Sequence, residues 1–311
     1  MSKIAGLVTQ CVLESPLKQW LERQCNNAGN NIDWYDVTRS TAEYKKRFED
    51  ADAVMTWNCR MPHWWLQSRK KPVLHLDNSL INQRAGVFVD SYGYFSHSHL
   101  CRDRLWQASS EIDLVKIAEK EFGWKAFSNG NPDGPILVAM QCENDCNIQF
   151  EFPLAKHTQH KNQLFIDLLK DNLPSEASVL IRPHPRERAK FTMEELPSNW
   201  TLNMEGEFKH VLPTCSALVT VNSTCASEAV LLGIPTAVLG TGVFTGSGVM
   251  LECHLEPQQV AQIRSFKTLQ AQQYCGALRT RSFIPYWPED SYNNPEFRLW
   301  LECINDRKLS S

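Results

Sequence analysis

Short, nearly unbroken runs of aliphatic residues constrain this chain more than any other feature. In the second half they are "ILVA" within Pro135–Gln141, "VLI" ahead of Arg182, "ALVTV" over Ala217–Val221 and "TAVL" within Pro235–Gly240. None is long enough for a buried helix, and none alternates polar with apolar residues. That pattern belongs to strands covered on both faces in a parallel sheet. Parallel neighbours need a crossover, and stretches with helical spacing lie between these runs: Thr158–Leu173 and Ser223–Gly233. The first half has the same rhythm. Strands are expected at Lys3–Val8, Ile32–Val37, Ala51–Trp57 and Lys71–Asp77. Helices are expected at Pro16–Cys25, at Ser40–Asp50 (Ser40 capping, Glu43 three residues on) and at Glu111–Trp124. Strand–helix alternation, twice over, predicts an α/β protein of two Rossmann-like, doubly wound domains facing across a cleft.

The 311 residues suit two domains of roughly 150 residues each. "KAFSNGNPDGP" after Trp124 is rich in Gly, Asn and Pro, residues that bend a chain and do not extend a helix. The expected division is therefore 1–125 for the first domain, 126–134 for a linker and 135–285 for the second domain. The remaining residues, 286–311, carry a terminal helix, "NNPEFRLWLECIND", expected to pack back on the first domain.

Bulk properties exclude other classes. With 42% hydrophobic and 22% charged residues the chain is neither disordered nor fibrous. No run of apolar residues is long enough to span a bilayer, and the first ten residues lack the apolar core of a signal peptide. A cytoplasmic protein is expected. Eleven scattered cysteines then read as thiols and not as a disulfide framework. Cys142 and Cys146 have no second pair, and His97 and His99 no third ligand, so no metal site is expected. A net charge of −3 argues against a surface that grips nucleic acid as a whole.

Polar residues cluster where three second-domain strands end, the edge at which open α/β sheets receive ligands. After the first come Gln141 and Asp145 in "MQCENDCN". A carboxylate there serves as base or nucleophile, while Asn144-Asp145 also reads as a turn. After the second comes "RPHPRER". Two prolines stiffen the turn and aim His184, and Arg182 suits an oxyanion. Arg186 and Arg188 read most simply as the solvated start of a helix. After the third, Asn222, Ser223 and Thr224 run into a helix, where amides and hydroxyls cap the chain or hold an anion. Glu228 follows one turn on, placed to accept the hydroxyls of a ribose.

In combination these segments resemble the capsule-polysaccharide glycosyltransferases, and most nearly the retaining Kdo transferases of that group. "QCEND" is similar to a QxxxD motif, "RPHP" to an HP motif, and "VNSTCASEAVLLGIP" to a Ser/Thr-plus-Glu segment. "LHLDNSL…AGVFVDSYGYFSHSHL" resembles a first-domain segment in which an acidic residue precedes G-x-x-x-D-x-x-G-Y, with Asp77-Asn78 standing where the family has Glu, Gly and an aromatic. The HP and Ser/Thr segments resemble, more distantly, those of bacterial sialyltransferases.

The resemblance implies a GT-B fold and a nucleotide-sugar donor, CMP-linked in preference to UDP-linked, with a saccharide acceptor. It implies Asp145 as nucleophile of a retaining reaction and Gln141 as its orienting neighbour. His184 with Ser223 and Thr224 would hold the donor phosphate, Glu228 the ribose, and Asp77 would be the acid/base for the acceptor. The donor is a co-substrate; no resident cofactor and no metal is expected. Two alternatives stand beside this reading. One is a phage-type enzyme glycosylating hydroxymethylated bases of DNA, guided by Arg69-Lys70-Lys71 and Arg279–Arg281. The other is a nucleotide-sugar-binding module or epimerase on the same fold.

Overall fold

The computed structural model describes residues 2–38, 40–57, 63–109, 111–123, 130–187 and 196–309. Its strands are β1 (Ser2–Val8), β2 (Asn30–Asp36), β3 (Ala53–Trp57), β4 (Val73–Asn78), β5 (Gly86–Asp90), β6 (Ile136–Ala139), β7 (Val179–Arg182), β8 (Trp200–Leu202), β9 (Ala217–Thr220), β10 (Thr236–Val238), β11 (Leu251–Glu252) and β12 (Phe283–Pro285). The chain forms two compact units, Met1–Leu105 with Ala277–Ser311 (unit 1) and Trp106–Gly276 (unit 2). The expected linker lies partly outside the described residues. Its described part is bonded into unit 2, where the Asn131 N–H donates to Cys215 O at 3.0 Å. The helix Leu114–Phe122 groups with unit 2 as well, because it packs on the helix Cys225–Leu231.

Unit 1 has a six-stranded sheet in the order β12-β5-β4-β3-β1-β2. The four strands from β1 to β4 are parallel, and β5 and β12 are antiparallel additions at one edge. β3 and β5 are buried along their whole length, as their apolar runs require. Helix Pro16–Asn27 buries Leu17, Trp20, Leu21 and Cys25. Ser40 caps helix Thr41–Asp50 by accepting from the Glu43 N–H. The terminal helix, Pro295–Leu309, packs against β4 and β5. Phe297 of that helix meets Trp20 with ring centroids 5.3 Å apart.

A polar network welds this last helix to β5. Buried Asp90 accepts the backbone N–H groups of Tyr92 (2.8 Å), Gly93 (3.0 Å) and His99 (2.8 Å). Glu296, 0% exposed, accepts from Ser91 Oγ (2.6 Å) and Arg281 Nε (2.9 Å), and its Oε2 lies 3.2 Å from His99 Nδ1. His99 Nε2 also meets Asp103 at 3.0 Å, so this histidine serves a carboxylate network.

Burial, then the nearby Glu296 charge, pushes the Asp90 carboxyl up to about 7. Burial opposes charge on Glu296 too, but hydrogen bonds from His99 and Ser91 hold its pKa below the ordinary value. The hydrogen bond to Glu296 raises His99. A carboxyl raised in the fold loses stability as pH rises from its unfolded value, about 4, through its folded one. A raised histidine loses stability as pH rises through its folded pKa. The lowered Glu296 acts only at more acid pH. The melting midpoint is therefore expected to fall between pH 5 and pH 8, and to fall less in Glu296→Gln, which relieves both shifts. Because the lowered His184 acts in the opposite sense, the comparison with Glu296→Gln is the test, and an equal pH dependence in the two proteins counts against the assignment.

Unit 2 is an all-parallel sheet in the order β11-β10-β9-β6-β7-β8. Counted from β6, this is the 3-2-1-4-5-6 order of a Rossmann domain. β6, β9 and β10 are buried throughout. Alternate residues serve opposite faces: Ile136, Val138 and Met140 join Phe165, Ile166 and Leu169 of the helix Lys161–Asn172 in one core cluster. Each large aliphatic or aromatic side chain so buried contributes about 1.5–3 kcal/mol. The one polar side chain inside β9, Thr220, is satisfied by donating to Ala139 O at 2.8 Å.

Strand order fixes the polar edge. β6 connects onward to β7 on one side, while its other neighbour, β9, begins the second half of the sheet. The chain therefore leaves β6 and β9 in opposite directions and opens a crevice at their carboxyl ends.

Candidate functional site

The β6 exit delivers Gln141 and Asp145. Gln141 is 3% exposed, and its Oε1 accepts the Asn222 N–H across the crevice at 3.0 Å. Asp145 caps the short helix Cys146–Phe150 by accepting the Asn147 N–H at 3.0 Å. The turn reading and the functional reading of Asp145 are compatible, since a capped carboxylate is held in a fixed direction.

His184 leaves β7 between its two prolines. Its Nδ1 accepts the Arg186 N–H at 3.2 Å, and Cys142 Sγ lies 3.0 Å from the same nitrogen. With Nδ1 engaged as an acceptor, the neutral ring carries its proton on Nε2, which is left as the donor. Burial, and then the Arg186 charge, lowers the His184 pKa; the charges of Asp145 and Glu187 partly oppose this. At neutral pH the ring is therefore uncharged, and it feels the carboxylate of Asp145.

Asn222 ties three segments together. Besides its N–H to Gln141, its Nδ2 donates to Asn147 O (3.1 Å) and Thr241 O (3.0 Å). Its Oδ1 is buried and has no hydrogen-bond partner among the described residues. Ser223 and Thr224 follow at once and open the helix Cys225–Leu231, with Glu228 half-buried in its first turn. Thr241 reaches Asn222 because Gly240 precedes it: a Cβ at Gly240 would lie 2.6 Å from Glu151 O.

The Arg182 guanidinium is tied to Asn203 Oδ1 (2.7 Å), Glu205 O (2.7 Å) and Gly206 O (2.5 Å), so it holds the loop after β8. Asp77 ends β4 in unit 1, where its Oδ1 accepts the Asn78 N–H at 2.7 Å. Arg188 lies outside the described residues.

Sequence reasoning passed over Glu143 and Asn162. Glu143 accepts the first two N–H groups of helix Lys161–Asn172, with Lys161 and, at 3.1 Å, Asn162 as donors. Asn162 Nδ2 donates to Gln141 O at 2.8 Å. No local pattern announces bonds that join residues some twenty positions apart. Together with Gln159, His160, Gln163 and Glu187, these residues line a pocket of about 410 Å³ that also touches Gln141 and His184.

Four of the five basic residues proposed to guide DNA are otherwise engaged. Arg69 pairs with Glu49 at 2.6 Å, and Lys71 Nζ donates to Phe48 O and Glu49 O. This triplet precedes β4, at the opposite end of that strand from Asp77. Arg281 pairs with Glu296, and the Arg279 guanidinium lies over the Phe283 ring. Among the described residues no group of three or more His, Cys, Asp or Glu is placed to hold a metal ion. Nor, among them, is any helix long and apolar enough to cross a membrane.

A family model for capsule polysaccharide biosynthesis proteins matches residues 110–279. Among solved structures, the chain is similar to the KpsC beta Kdo 2,7 transferase of Thermosulfurimonas dismutans. The TM-score is 0.54 at 14% identity, over 99% of this chain and 100% of that one. It is also similar to the KpsC beta Kdo 2,4 transferase of the same organism, with TM-score 0.54 and 15% identity over 88% and 89% of the two chains. No curated protein matches the sequence. At such identities the likeness establishes the fold, and two Rossmann-like units in one chain are the GT-B architecture expected from the sequence.

Proposed function

The chain belongs to the capsule polysaccharide biosynthesis protein family, and from that premise we propose that it is a glycosyltransferase moving a sugar from a nucleotide-sugar donor to a saccharide acceptor. The observation that carries the reading is the convergence at the β6/β9 switch point of unit 2. Gln141, Asp145, His184 and Asn222–Thr224 arrive there from three strands, and Gln141 is bonded to Asn222. Doubly wound sheets receive nucleotides at such a point.

In the proposed reaction the donor is a CMP-sugar in preference to a UDP-sugar, following the family resemblance. His184 Nε2–H and the hydroxyls of Ser223 and Thr224 bind the phosphate, and Glu228 the ribose. An Asp145 oxygen attacks the anomeric carbon, and the electron pair of the breaking C–O bond leaves on the phosphate oxygen. Stabilising that charge is the main catalytic demand, and neutral donors held in fixed directions meet it without reorganising. An acceptor hydroxyl then displaces Asp145 with loss of its proton, for which Asp77 is the proposed base. Two inversions give net retention. Arg182 acts at one remove, by holding the 203–206 loop. Neither a resident cofactor nor a metal enters this scheme.

The test is calorimetric titration with CMP-, UDP- and GDP-sugars, followed by assays of nucleotide release with saccharide acceptors. Failure to bind any of the three donors would sink the reading. Release that requires hydroxymethylated DNA would instead move the acceptor to the alternative. His184→Ala is expected to raise the Kd for the donor nucleotide about tenfold or more, as loss of a hydrogen bond to a charged group does. Affinity unchanged in that variant would remove His184 from the phosphate.

A further inference from the structure

We propose that Trp287, with Tyr286 and Asp77, forms a stacking platform in unit 1 for a sugar ring of the acceptor. This deepens the glycosyltransferase reading and rests on it. The platform begins with Gly86. A Cβ there would lie 2.2 Å from Ile284 O, so only glycine lets β12 pair so closely with β5. Past Pro285, the Tyr286 N–H donates to Ala85 O at 3.1 Å. Pro285 and Pro288 bracket the aromatic pair and restrict its backbone.

β12 is antiparallel to β5, and β5 is antiparallel to β4. β12 and β4 therefore run the same way, and both exit at the edge where open sheets receive ligands. Contacts agree with the topology. Tyr286 Oη lies 3.9 Å from Cys11 Sγ, just past the end of β1, and Asp77 of β4 and Phe283 of β12 face Phe88 of β5 from its two sides, so Asp77 and the aromatic pair leave the sheet at one edge. The indole of Trp287 meets the Tyr286 ring edge to face, with centroids 6.2 Å apart at 82°.

Trp287 is 70% exposed, whereas Trp20, Trp57, Trp65, Trp106, Trp200 and Trp300 are all buried. An exposed indole on a stiff turn at a ligand-receiving edge offers a flat apolar face with hydrogen-bonding groups beside it. The C–H face of a pyranose fits that surface, and its hydroxyls suit Asp77 and the Tyr286 hydroxyl. A nucleobase would stack as well. However, the acidic residues at hand are Asp77, Glu289 and Asp290, of which Asp290 meets Arg23 at 2.6 Å. Such surroundings disfavour a phosphate backbone.

The experiment compares wild type with Trp287→Ala and Trp287→Phe on an array of bacterial surface oligosaccharides. A single-stranded oligonucleotide containing 5-hydroxymethylcytosine is run alongside, with calorimetric binding of CMP and UDP as the control for unit 2. Trp287→Ala is expected to weaken oligosaccharide binding about tenfold or more, as loss of a central aromatic anchor does, and Trp287→Phe to keep most of it. Nucleotide affinity and melting midpoint should not change, because the side chain is exposed. A wild type that binds no array member, or a Trp287→Ala protein that binds equally well, overturns the proposal. So does binding of the oligonucleotide alone. Trp287-dependent oligosaccharide binding without any nucleotide binding would leave the platform standing and remove the donor assignment.

Discussion

Asp145→Asn is expected to lower sugar transfer by on the order of 10³-fold or more, with the Kd for the donor nucleotide nearly unchanged. Asparagine is the informative substitution. Its Oδ1 still accepts the Asn147 N–H, so the helix Cys146–Phe150 keeps its cap. What is lost is the charge and the nucleophilic oxygen. Asp145→Ala removes the cap as well, at about 1 kcal/mol, and mixes a structural effect into the result. A third variant, Asp145→Gly, opens space for a small external nucleophile. Added formate or azide is expected to restore part of its turnover if a covalent glycosyl-enzyme is formed. Equal loss of binding and turnover in Asp145→Asn would show that Asp145 positions the donor. Full activity would place the nucleophile elsewhere.

The largest expected effect on stability is that of Glu296→Ala, a loss of about 2–4 kcal/mol. The substitution leaves Arg281, which bonds Oε1, and Ser91 and His99, which meet Oε2, without their carboxylate, in a place where that group is wholly buried. Removing one partner of a buried pair costs more, about 3–5 kcal/mol, when both charges are inaccessible. Here the Arg281 side chain is 30% exposed and partly rehydrates, and Asp90 loses an unfavourable neighbour. Both effects reduce the loss. Urea unfolding followed by far-UV dichroism measures it, and a change under about 1 kcal/mol would show that water replaces the carboxylate without penalty.

The strands that form the core of unit 2 were legible because burial on two faces leaves a plain mark. β6, β7, β9 and β10 all lie within the aliphatic runs. β8 and β11, and β12 in unit 1, were not, because "WTL", "LE" and "FIP" are short and sit in no longer aliphatic run. β5 was hidden for another reason: "GVFVD" lay inside a segment noticed for its resemblance and not for its backbone. At the site, the polar strand exits could be read, since each interrupts an apolar run. Their mutual bonding could not. The Gln141–Asn222 bond spans 81 residues and depends on β6 lying beside β9. The direction of Arg182 was equally hidden, because it is set by Asn203 on the far side of β7. Trp287 passed unnoticed because a tryptophan is ordinarily core, and only the exposure of this one sets it apart.

The discontinuity of unit 1 bears on the order in which the protein is made. Unit 2 is one uninterrupted stretch, Trp106–Gly276, and can close its sheet as soon as that stretch leaves the ribosome. Unit 1 starts first and finishes last. Until residues 277–309 emerge, β5 is an unpaired edge, Trp20 lacks its contact with Phe297, and Asp90 has no Glu296 nearby. The N-terminal segment must therefore wait through the synthesis of a whole second unit with an open strand edge, the kind of surface that nascent-chain chaperones shield.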